Sequence, residues 1–277
     1  MSHETVNGVR LFYEVLGSGE PLVLVHGSWG DHHNWDELAP LLAAEFQVVA
    51  YDRRGHSDSE RPAGQGSVHE DVDDLAALIE RVADGAAHVV GNSFGAAISL
   101  RLAARYPEQV RTVTAHEPPL VMLLASNPAT EAVVADVAAR IASVTGLLAA
   151  DEIPAAAQQF VETVALGPGQ WPLLPPELQQ TFIRNAATFL DESNDPEALT
   201  IDLATLRNYS KPALLTQGTA SPPFFGLILD QVAAHLQRAQ RQVIDGAGHV
   251  PQTTHPQQYA EALIRFLRSS APATQSR

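Results

Sequence analysis

The stretch His88-Val89-Val90-Gly91-Asn92-Ser93-Phe94-Gly95-Ala96-Ala97-Ile98 decides the fold. It joins an apolar run to a helical pattern through a G-x-S-x-G turn, which predicts a short buried strand, a tight turn and a helix. Gly91 and Gly95 are small enough to let the backbone at Ser93 adopt a strained conformation. The first N–H groups of the helix point at this turn and stabilise negative charge there. The pattern therefore predicts that Ser93 is a nucleophile.

Strand-like and helical patterns alternate on both sides of this turn. Apolar runs at 21–25, 47–51, 86–90, 110–115 and 212–217 predict buried strands, and helical patterns separate them. This alternation predicts the α/β class, with a doubly wound, mostly parallel sheet. The strand rhythm stops between Leu120 and Tyr209, where the sequence is Ala-rich and predicts helices at Thr130–Thr145, Pro154–Val164, Pro176–Leu190 and Pro196–Asn208. We therefore expect a core formed by residues 1–119 and 210–277, with a helical cap, residues 120–209, inserted into it.

Composition narrows the possible partners. The formal net charge of −15 argues against a nucleic-acid partner, because phosphates would be repelled. No uncharged apolar stretch is long enough to span a membrane, and residues 1–4 do not resemble a signal peptide. There is no cysteine, so thiol nucleophiles and cysteine-bound metals are excluded. These features predict a cytoplasmic protein that does not bind nucleic acid, a membrane or a metal. The charge says little about a small-molecule substrate, and the oligomeric state stays open.

A serine hydroxyl needs a base to take its proton and an acid to orient that base. His249 is the strongest candidate among the eleven histidines, because it follows the last predicted strand in the loop Gly246-Ala247-Gly248-His249. In a parallel sheet, the carboxyl ends of the strands meet at one edge. The His26-Gly27 loop, Ser93, Glu117 and His249 are therefore expected to meet at that edge, beneath the cap.

These motifs resemble those of the α/β-hydrolase superfamily. The resemblance extends from Thr5 to Leu267 and rests on four motifs, which are His26-Gly27-Ser28-Trp29, Asp52-Arg53-Arg54-Gly55-His56-Ser57, Gly91-Asn92-Ser93-Phe94-Gly95 and Gly246-Ala247-Gly248-His249. It implies a Ser-His-acid hydrolase that needs no cofactor. It also implies that the oxyanion-hole donors are the backbone N–H groups of Phe94 and Ser28, with Trp29 as the alternative to Ser28.

One motif departs from the family. The usual acid follows the strand after the cap in a Gly-x-x-Asp pattern, but here the carboxylate position holds Ser221. Glu117, directly after the strand that follows the nucleophile helix, is the expected replacement, and some haloalkane dehalogenases and fungal zearalenone lactonases resemble this arrangement. Asp245, four residues before His249, is the competing acid.

The expected substrate is a mainly apolar ester or lactone. Trp29, Trp171 and Phe224 are the candidate substrate-binding residues, since the cap and the loop after the post-cap strand are rich in apolar side chains. Ser93 argues against halide displacement and epoxide opening, which need a carboxylate nucleophile. The alternatives are carbon–carbon bond hydrolysis of the meta-cleavage type, cofactor-free perhydrolase or oxygenase chemistry, and a non-catalytic ligand-binding receptor on the same fold.

Overall fold

Eight strands form one sheet in the computed structural model, which describes residues 1–270. The strands are β1 (Ser2–Val6), β2 (Val9–Leu16), β3 (Glu20–Val25), β4 (Phe46–Tyr51), β5 (Ala87–Asn92), β6 (Val110–His116), β7 (Ala213–Gly218) and β8 (Ala239–Ile244). Their spatial order is β1-β2-β4-β3-β5-β6-β7-β8. β1 and β2 form an antiparallel hairpin and β2 pairs antiparallel with β4, while all the other pairs are parallel. The predicted fold class is confirmed.

Helices cover the sheet and fill the long segment between β6 and β7. The α-helices are α1 (Ala39–Leu42), α2 (Val68–Val82), α3 (Phe94–Arg105), α4 (Glu131–Ala149), α5 (Ile153–Phe160), α6 (Pro176–Asn185), α7 (Thr188–Asn194), α8 (Phe224–Ala233), α9 (Pro251–Thr254) and α10 (Pro256–Ser270). Two apolar clusters separated by the sheet pack against its opposite faces. One contains residues of α2, α3 and α8, and the other contains residues of α1 and α10.

The strand order reverses beside β5. After β3 the chain adds β4 on one side of it, and then returns to add β5 and β6 on the other side. The reversal therefore lies between β3 and β5. Ligand sites in open α/β sheets form at such a switch point, outside the carboxyl ends of the strands. The parallel register sets Asn92 opposite His116 and His116 opposite Thr216. The loops that leave β5, β6 and β7 therefore start at the same height.

The inserted segment has an apolar cluster of its own. This cluster is built from α4 to α7 and includes Trp29 from the loop after β3. The two ends of the segment do not belong to this cluster. Their buried residues pack instead in the main cluster, the one that contains residues of α2, α3 and α8; these are Leu120, Leu124, Ala198 and Ile201. The segment predicted as the cap thus packs with the core at both ends. Residues 271–277, part of the predicted core segment 210–277, lie outside the described residues.

Two helix predictions in the inserted segment are wrong. The helix predicted from Pro196 to Asn208 is only a 3-10 turn over Leu203–Asn208, whose start is capped by the side chain of Asp202. Leu206 and Tyr209 are buried in the main cluster, so packing overrides the local helical pattern. The helix predicted from Pro176 to Leu190 is divided into α6 and α7.

The helical span Pro128–Ala149 is long and apolar enough to cross a membrane by length and composition alone. Its mean hydropathy is 1.7 and only 11% of it is buried. Asp136 and Arg140, which form an i,i+4 ion pair, interrupt its apolar run. Val144 and Leu148, the buried residues of α4, anchor it to the rest of the cap.

Two histidines at the carboxyl ends of the strands are fully buried. His26 donates from Nδ1 to the Gly27 carbonyl oxygen and accepts at Nε2 from the Arg53 N–H. Burial, aided by the positive charge of Arg53, lowers the pKa of His26 to about 3. His116 lies 2.9 Å from the Thr216 hydroxyl through Nδ1, and burial lowers its pKa to about 4. Both side chains are therefore neutral parts of the scaffold near pH 7.

Replacement of Gly95 by Ala is expected to destabilise the protein by about 3 kcal/mol, because the new methyl group forces the backbone apart. A Cβ at position 95 would lie 2.1 Å from the Val25 carbonyl oxygen. Urea denaturation measures the loss. Gly146→Ala in α4 is the control, since its Cβ would meet nothing within 4 Å and the change should stabilise by about 0.5–1 kcal/mol. Equal stability of Gly95→Ala and the native protein would contradict the packing described.

The free energy of unfolding is expected to fall as the pH drops from about 6.5 to 4. In that window the unfolded chain binds a proton at His26 and another at His116, and the folded protein does not. Each of these two histidines therefore contributes a slope of about 1 kcal/mol per pH unit to the free energy of unfolding. His116→Gln should reduce the slope by one proton, measured by urea denaturation across this range. His33→Gln, at a side chain that is 60% exposed, is the control. A slope unchanged by His116→Gln would refute the assignment.

Candidate active site

Ser93 occupies the turn between β5 and α3. Its φ of 55° and ψ of −123° place it outside the regions that ordinary residues prefer. The Ser93 N–H donates to the His116 carbonyl oxygen at 2.9 Å, which fixes the turn to the neighbouring strand. A Cβ at Gly27 would lie 3.0 Å from the Ser93 Cβ, so the loop after β3 approaches the serine closely. The hydroxyl is thus presented at the edge of the sheet beside that loop.

Glu117 follows β6 directly and is fully buried. Its N–H donates to the Thr216 carbonyl oxygen at 3.3 Å, and its Oε1 accepts from the Gly218 N–H at 2.8 Å. Its Oε2 lies 2.7 Å from Nδ1 of His249. The carboxylate is therefore held by the end of β7 and aimed at the histidine. The structure brings together the two side chains that the sequence analysis paired.

The surroundings of Glu117 favour its ionised form. Burial opposes ionisation, but the hydrogen bond from His249 outweighs it. The pKa of Glu117 consequently lies below its ordinary value. A carboxylate that stays charged in a buried site stabilises positive charge on its partner, here the imidazole of His249.

The loop that carries His249 is tied to the turn at Ser93. Asn92 Nδ2 donates to the His249 carbonyl oxygen at 2.8 Å, and Gln252 Nε2 donates to Asn92 Oδ1 at 3.3 Å. The ring of Phe225 stacks on the imidazole, with centroids 5.1 Å apart and planes inclined by 19°. Because the partner of Nδ1 is a carboxylate, Nδ1 carries the proton and Nε2 has a free lone pair. The histidine can therefore accept a proton at Nε2.

Positive φ angles, which non-glycine residues rarely adopt, recur at this edge. They occur at Ser93 (55°), Glu117 (46°) and Trp29 (65°), three of the seven such residues in the part of the chain that the structure describes. Each of these residues follows the end of a parallel strand. Strain of this kind persists only where the surrounding structure enforces it, and it is typical of functional sites.

The predicted oxyanion donors lie on either side of Ser93. Phe94 is the first residue of α3, where backbone N–H groups have no partner inside the helix. Ser28 is half-buried in the loop after β3, and its hydroxyl donates to Oε2 of Glu192 in α7. The arrangement leaves the backbone N–H of Ser28 a candidate donor, and both assignments stay predictions.

The three predicted substrate-binding residues have different surroundings. Trp29 is fully buried and stacks on Phe160 of α5, with ring centroids 4.9 Å apart. Trp171 is half-buried and meets Phe182 edge-on. Phe224 stacks on Phe225, and it is Phe225 that contacts His249. Phe225 is therefore the aromatic residue that stacks on His249, one position beyond the residue that was predicted.

The competing residues have other partners. Asp245 is exposed and accepts a hydrogen bond from the Thr219 hydroxyl at 3.3 Å, while Nδ1 of His249 is occupied by Glu117. His56 is fully buried between the Arg54 carbonyl oxygen and the Thr188 hydroxyl. Ser221, at the family's usual acid position, lies in a turn closed by its N–H bond to the Gly218 carbonyl oxygen.

Sequence reasoning missed several residues around the site. The Gly218 N–H that orients Glu117 had no sequence signal beyond the end of a strand. Glu192 had none at all, because it lies 164 positions from Ser28 in the chain and meets it only through the fold. The hydrogen bond from Asn92 to the loop that carries His249 could not be predicted, because it depends on where that loop lies in the fold. The position of Asn92 next to Ser93 indicated only that it belongs to the turn.

Comparisons with known proteins support the fold. The family model described as "alpha/beta hydrolase fold" matches residues 20–256. The uncharacterized hydrolase YraK of Bacillus subtilis is 42% identical over 125 residues, covering 44% of this chain and 46% of that protein. The 2-hydroxymuconate semialdehyde hydrolase of Pseudomonas sp. is 38% identical over 112 residues, or 38% of each chain. The alignments thus span less than half the length of both relatives.

A solved structure matches over almost the whole chain. The alpha/beta hydrolase from Sphaerobacter thermophilus superposes with a TM-score of 0.75 at 26% identity, covering 96% of this chain and all of that one. The family model, this superposition and the sheet with Ser93 at its switch point lead to the same assignment. The chain belongs to the alpha/beta hydrolase fold family.

Proposed function

We propose that this chain is a serine hydrolase that cleaves a carboxylic ester or lactone of a mainly apolar small molecule through an acyl-enzyme on Ser93. The observation that carries the proposal is the His249–Glu117 pair, 2.7 Å apart, at the edge of the sheet where the strained turn presents Ser93. Relatives that bear the name hydrolase support the broader reaction class.

In the proposed acylation, the Ser93 hydroxyl oxygen attacks the carbonyl carbon and Nε2 of His249 takes its proton. Glu117 remains ionised and stabilises the imidazolium through Nδ1–H. The N–H groups of Phe94 and Ser28 hold the oxyanion of the tetrahedral intermediate. His249 then returns the proton to the leaving oxygen, the carbon–oxygen bond breaks and the alcohol departs.

Deacylation repeats these steps with water. Nε2 of His249 takes a proton from water as its oxygen attacks the acyl carbon, and a second tetrahedral intermediate forms in the same oxyanion hole. Its collapse releases the carboxylic acid and returns the proton to Ser93. With a lactone, the leaving alcohol stays attached to the acyl group, so the product is a single hydroxy acid.

The surroundings support a mainly apolar substrate. Phe225 stacks on the base, and the cap cluster above the loop after β3 includes Trp29 and Phe160. Arg53, the cation that follows β4, is fully engaged by Asp71 and Glu192. A strongly anionic substrate would therefore have to compete with these carboxylates for it.

Carbon–carbon bond hydrolysis is the second candidate function. Its supporting observation is the 38% identity with 2-hydroxymuconate semialdehyde hydrolase over 112 residues. The same serine, histidine and glutamate would serve that reaction. Reactions that begin with attack by a carboxylate are not supported, because position 93 is Ser.

A fluorophosphonate probe is expected to label the native protein at Ser93 with one adduct per chain, because the His249–Glu117 pair activates the hydroxyl. Intact-mass spectrometry and peptide mapping measure the adduct. Ser93→Ala should abolish labelling, and Ser99→Ala is the control, since Ser99 is a buried serine of α3 whose hydroxyl donates to the Gly95 carbonyl oxygen. A native protein without an adduct would refute the serine-hydrolase proposal and favour a ligand-binding role.

The same preparation distinguishes the reaction types. We expect 4-nitrophenyl esters of increasing acyl length and simple lactones to be hydrolysed, and kcat/KM to rise with acyl length because more apolar surface is buried. Turnover of a meta-ring-fission product with inactivity toward esters and lactones would favour carbon–carbon hydrolysis instead.

Glu117→Gln is expected to lower kcat for an aryl ester by about 10⁴-fold, because a neutral amide neither fixes the tautomer of His249 nor stabilises its charged form. Steady-state kinetics measure the change. Asp245→Asn is the matched control and should stay close to native, since Asp245 is exposed and bonded to Thr219.

A double variant tests the geometry of the acid. Glu117→Gln with Ser221→Asp places a carboxylate at the family's usual position, and we expect it to recover part of the lost activity. Near-native turnover of Glu117→Gln, or a large loss in Asp245→Asn, would show that the acid has been assigned wrongly.

A further inference from the structure

A buried ion cluster joins the cap to the loops around Ser93. Arg53, with a side chain that is 2% exposed, makes a paired contact with Asp71, in which Nε donates to Oδ1 at 3.1 Å and Nη2 to Oδ2 at 3.0 Å. Both terminal nitrogens also donate to Oε1 of Glu192, at 3.0 and 2.9 Å. Arg53, Asp71 and Glu192 are called the Arg53 cluster below. Asp71 and Arg53 come from the core, whereas Glu192 comes from α7.

The Arg53 cluster contacts the residues on both sides of the proposed oxyanion hole. Arg53 Nη1 lies 3.3 Å from the Gly27 carbonyl oxygen, which belongs to the peptide group that supplies the Ser28 N–H. The guanidinium carbon lies over the ring of Phe94, 4.8 Å from its centroid. The second oxygen of Glu192 accepts the hydrogen bond from the Ser28 hydroxyl.

The consequence for Ser28 is geometric. Its hydroxyl donates to Glu192, and the preceding carbonyl oxygen accepts from both His26 Nδ1 at 2.8 Å and Arg53 Nη1 at 3.3 Å, so the peptide plane between Gly27 and Ser28 is restrained from two sides. A backbone N–H stabilises an oxyanion only if it is aimed before the charge develops. Restraint of this peptide therefore bears directly on transition-state stabilisation.

We propose that Glu192, a cap residue, is a positioning residue that aims the Ser28 N–H at the oxyanion, so that correct seating of α7 on the core completes the oxyanion hole. The inference rests on the proposed serine-hydrolase function. It assigns to the cap a part in transition-state stabilisation in addition to covering the substrate.

The buried charge of Glu192 depends on its contacts with Arg53 and Ser28. Burial raises the pKa of Glu192, and only the contacts with Arg53 and Ser28 oppose this. A carboxylate buried in this way is costly unless its partners are in place. A cavity of about 30 Å³ adjoins the cluster and is lined in part by Arg53, Asp71, Phe94 and Glu192. It is large enough for about two water molecules.

The neighbouring residue provides a matched control. Asp191 belongs to the same helix and also pairs with the core, through Arg61 Nη2 at 2.7 Å. This ion pair is partly exposed and touches neither Ser28 nor the Arg53 cluster. Asp191→Asn therefore removes a charged contact between α7 and the core, while the contacts of Glu192 with Arg53 and Ser28 stay in place.

Four variants of the full chain test the proposal, with steady-state hydrolysis of an aryl ester as the readout. Removing one oxyanion donor costs about 10²–10³ in kcat, so loosening a donor that remains present should cost about 10–100-fold. We expect this loss in kcat for Ser28→Ala and Glu192→Gln, with KM within about threefold of native. Ser28→Thr, which keeps the hydroxyl, should recover most of the loss, and Asp191→Asn should leave kcat nearly unchanged.

A boronic acid provides an independent readout, because its tetrahedral adduct with serine places an oxygen in the oxyanion hole. Its inhibition constant should rise in Ser28→Ala in parallel with the fall in kcat. Should Glu192→Gln fail to fold, Ser28→Ala and Ser28→Thr carry the test alone.

The proposal is overturned if kcat of Ser28→Ala stays within about twofold of native, or if Asp191→Asn loses as much as Glu192→Gln. Failure of the proposed function itself has a different signature, since the native protein would then neither react with the fluorophosphonate nor hydrolyse the ester.

Discussion

The backbone turn at Ser93 is the constraint on which the site depends. The turn exists only because Gly95 lets α3 start against the carbonyl oxygen of Val25, and because the Ser93 N–H is bonded to the end of β6. Both contacts need the parallel pairing of β3, β5 and β6. The strain at Ser93 is thus maintained by the centre of the sheet, which is its most buried part.

The same parallel register explains how Glu117 reaches His249. β6 lies between β5 and β7, so a carboxylate that follows β6 starts one strand away from the serine and one strand away from the family's usual acid position. The Gly218 N–H at the end of β7 then orients it. A glutamate at the end of β6 can therefore occupy the place that the missing aspartate would have filled, without a change in the fold.

The inserted segment contacts the core through charged as well as apolar residues. It carries its own apolar cluster around Trp29, and it also supplies Glu192 to the buried charges of Arg53 and Asp71. Apolar contacts hold the cap on the core with little directional preference, whereas the hydrogen bonds from both terminal nitrogens of Arg53 to Glu192 are directional. Position and orientation of the cap relative to the loop after β3 are thus set by different interactions.

The sequence by itself determined the α/β class, the tight turn at Ser93 and the pairing of Glu117 with His249, because these depend on strand periodicity, small residues at fixed spacing and the common edge of parallel strands. It did not determine the break between α6 and α7, the loss of the helix predicted at 196–208, the contact of Phe225 with His249 or the Arg53 cluster. These features depend on which residues far apart in the chain pack together. Only the tertiary structure decides such contacts. Burial and long-range hydrogen bonds outweigh local propensity, and the pattern of a single segment does not reveal them.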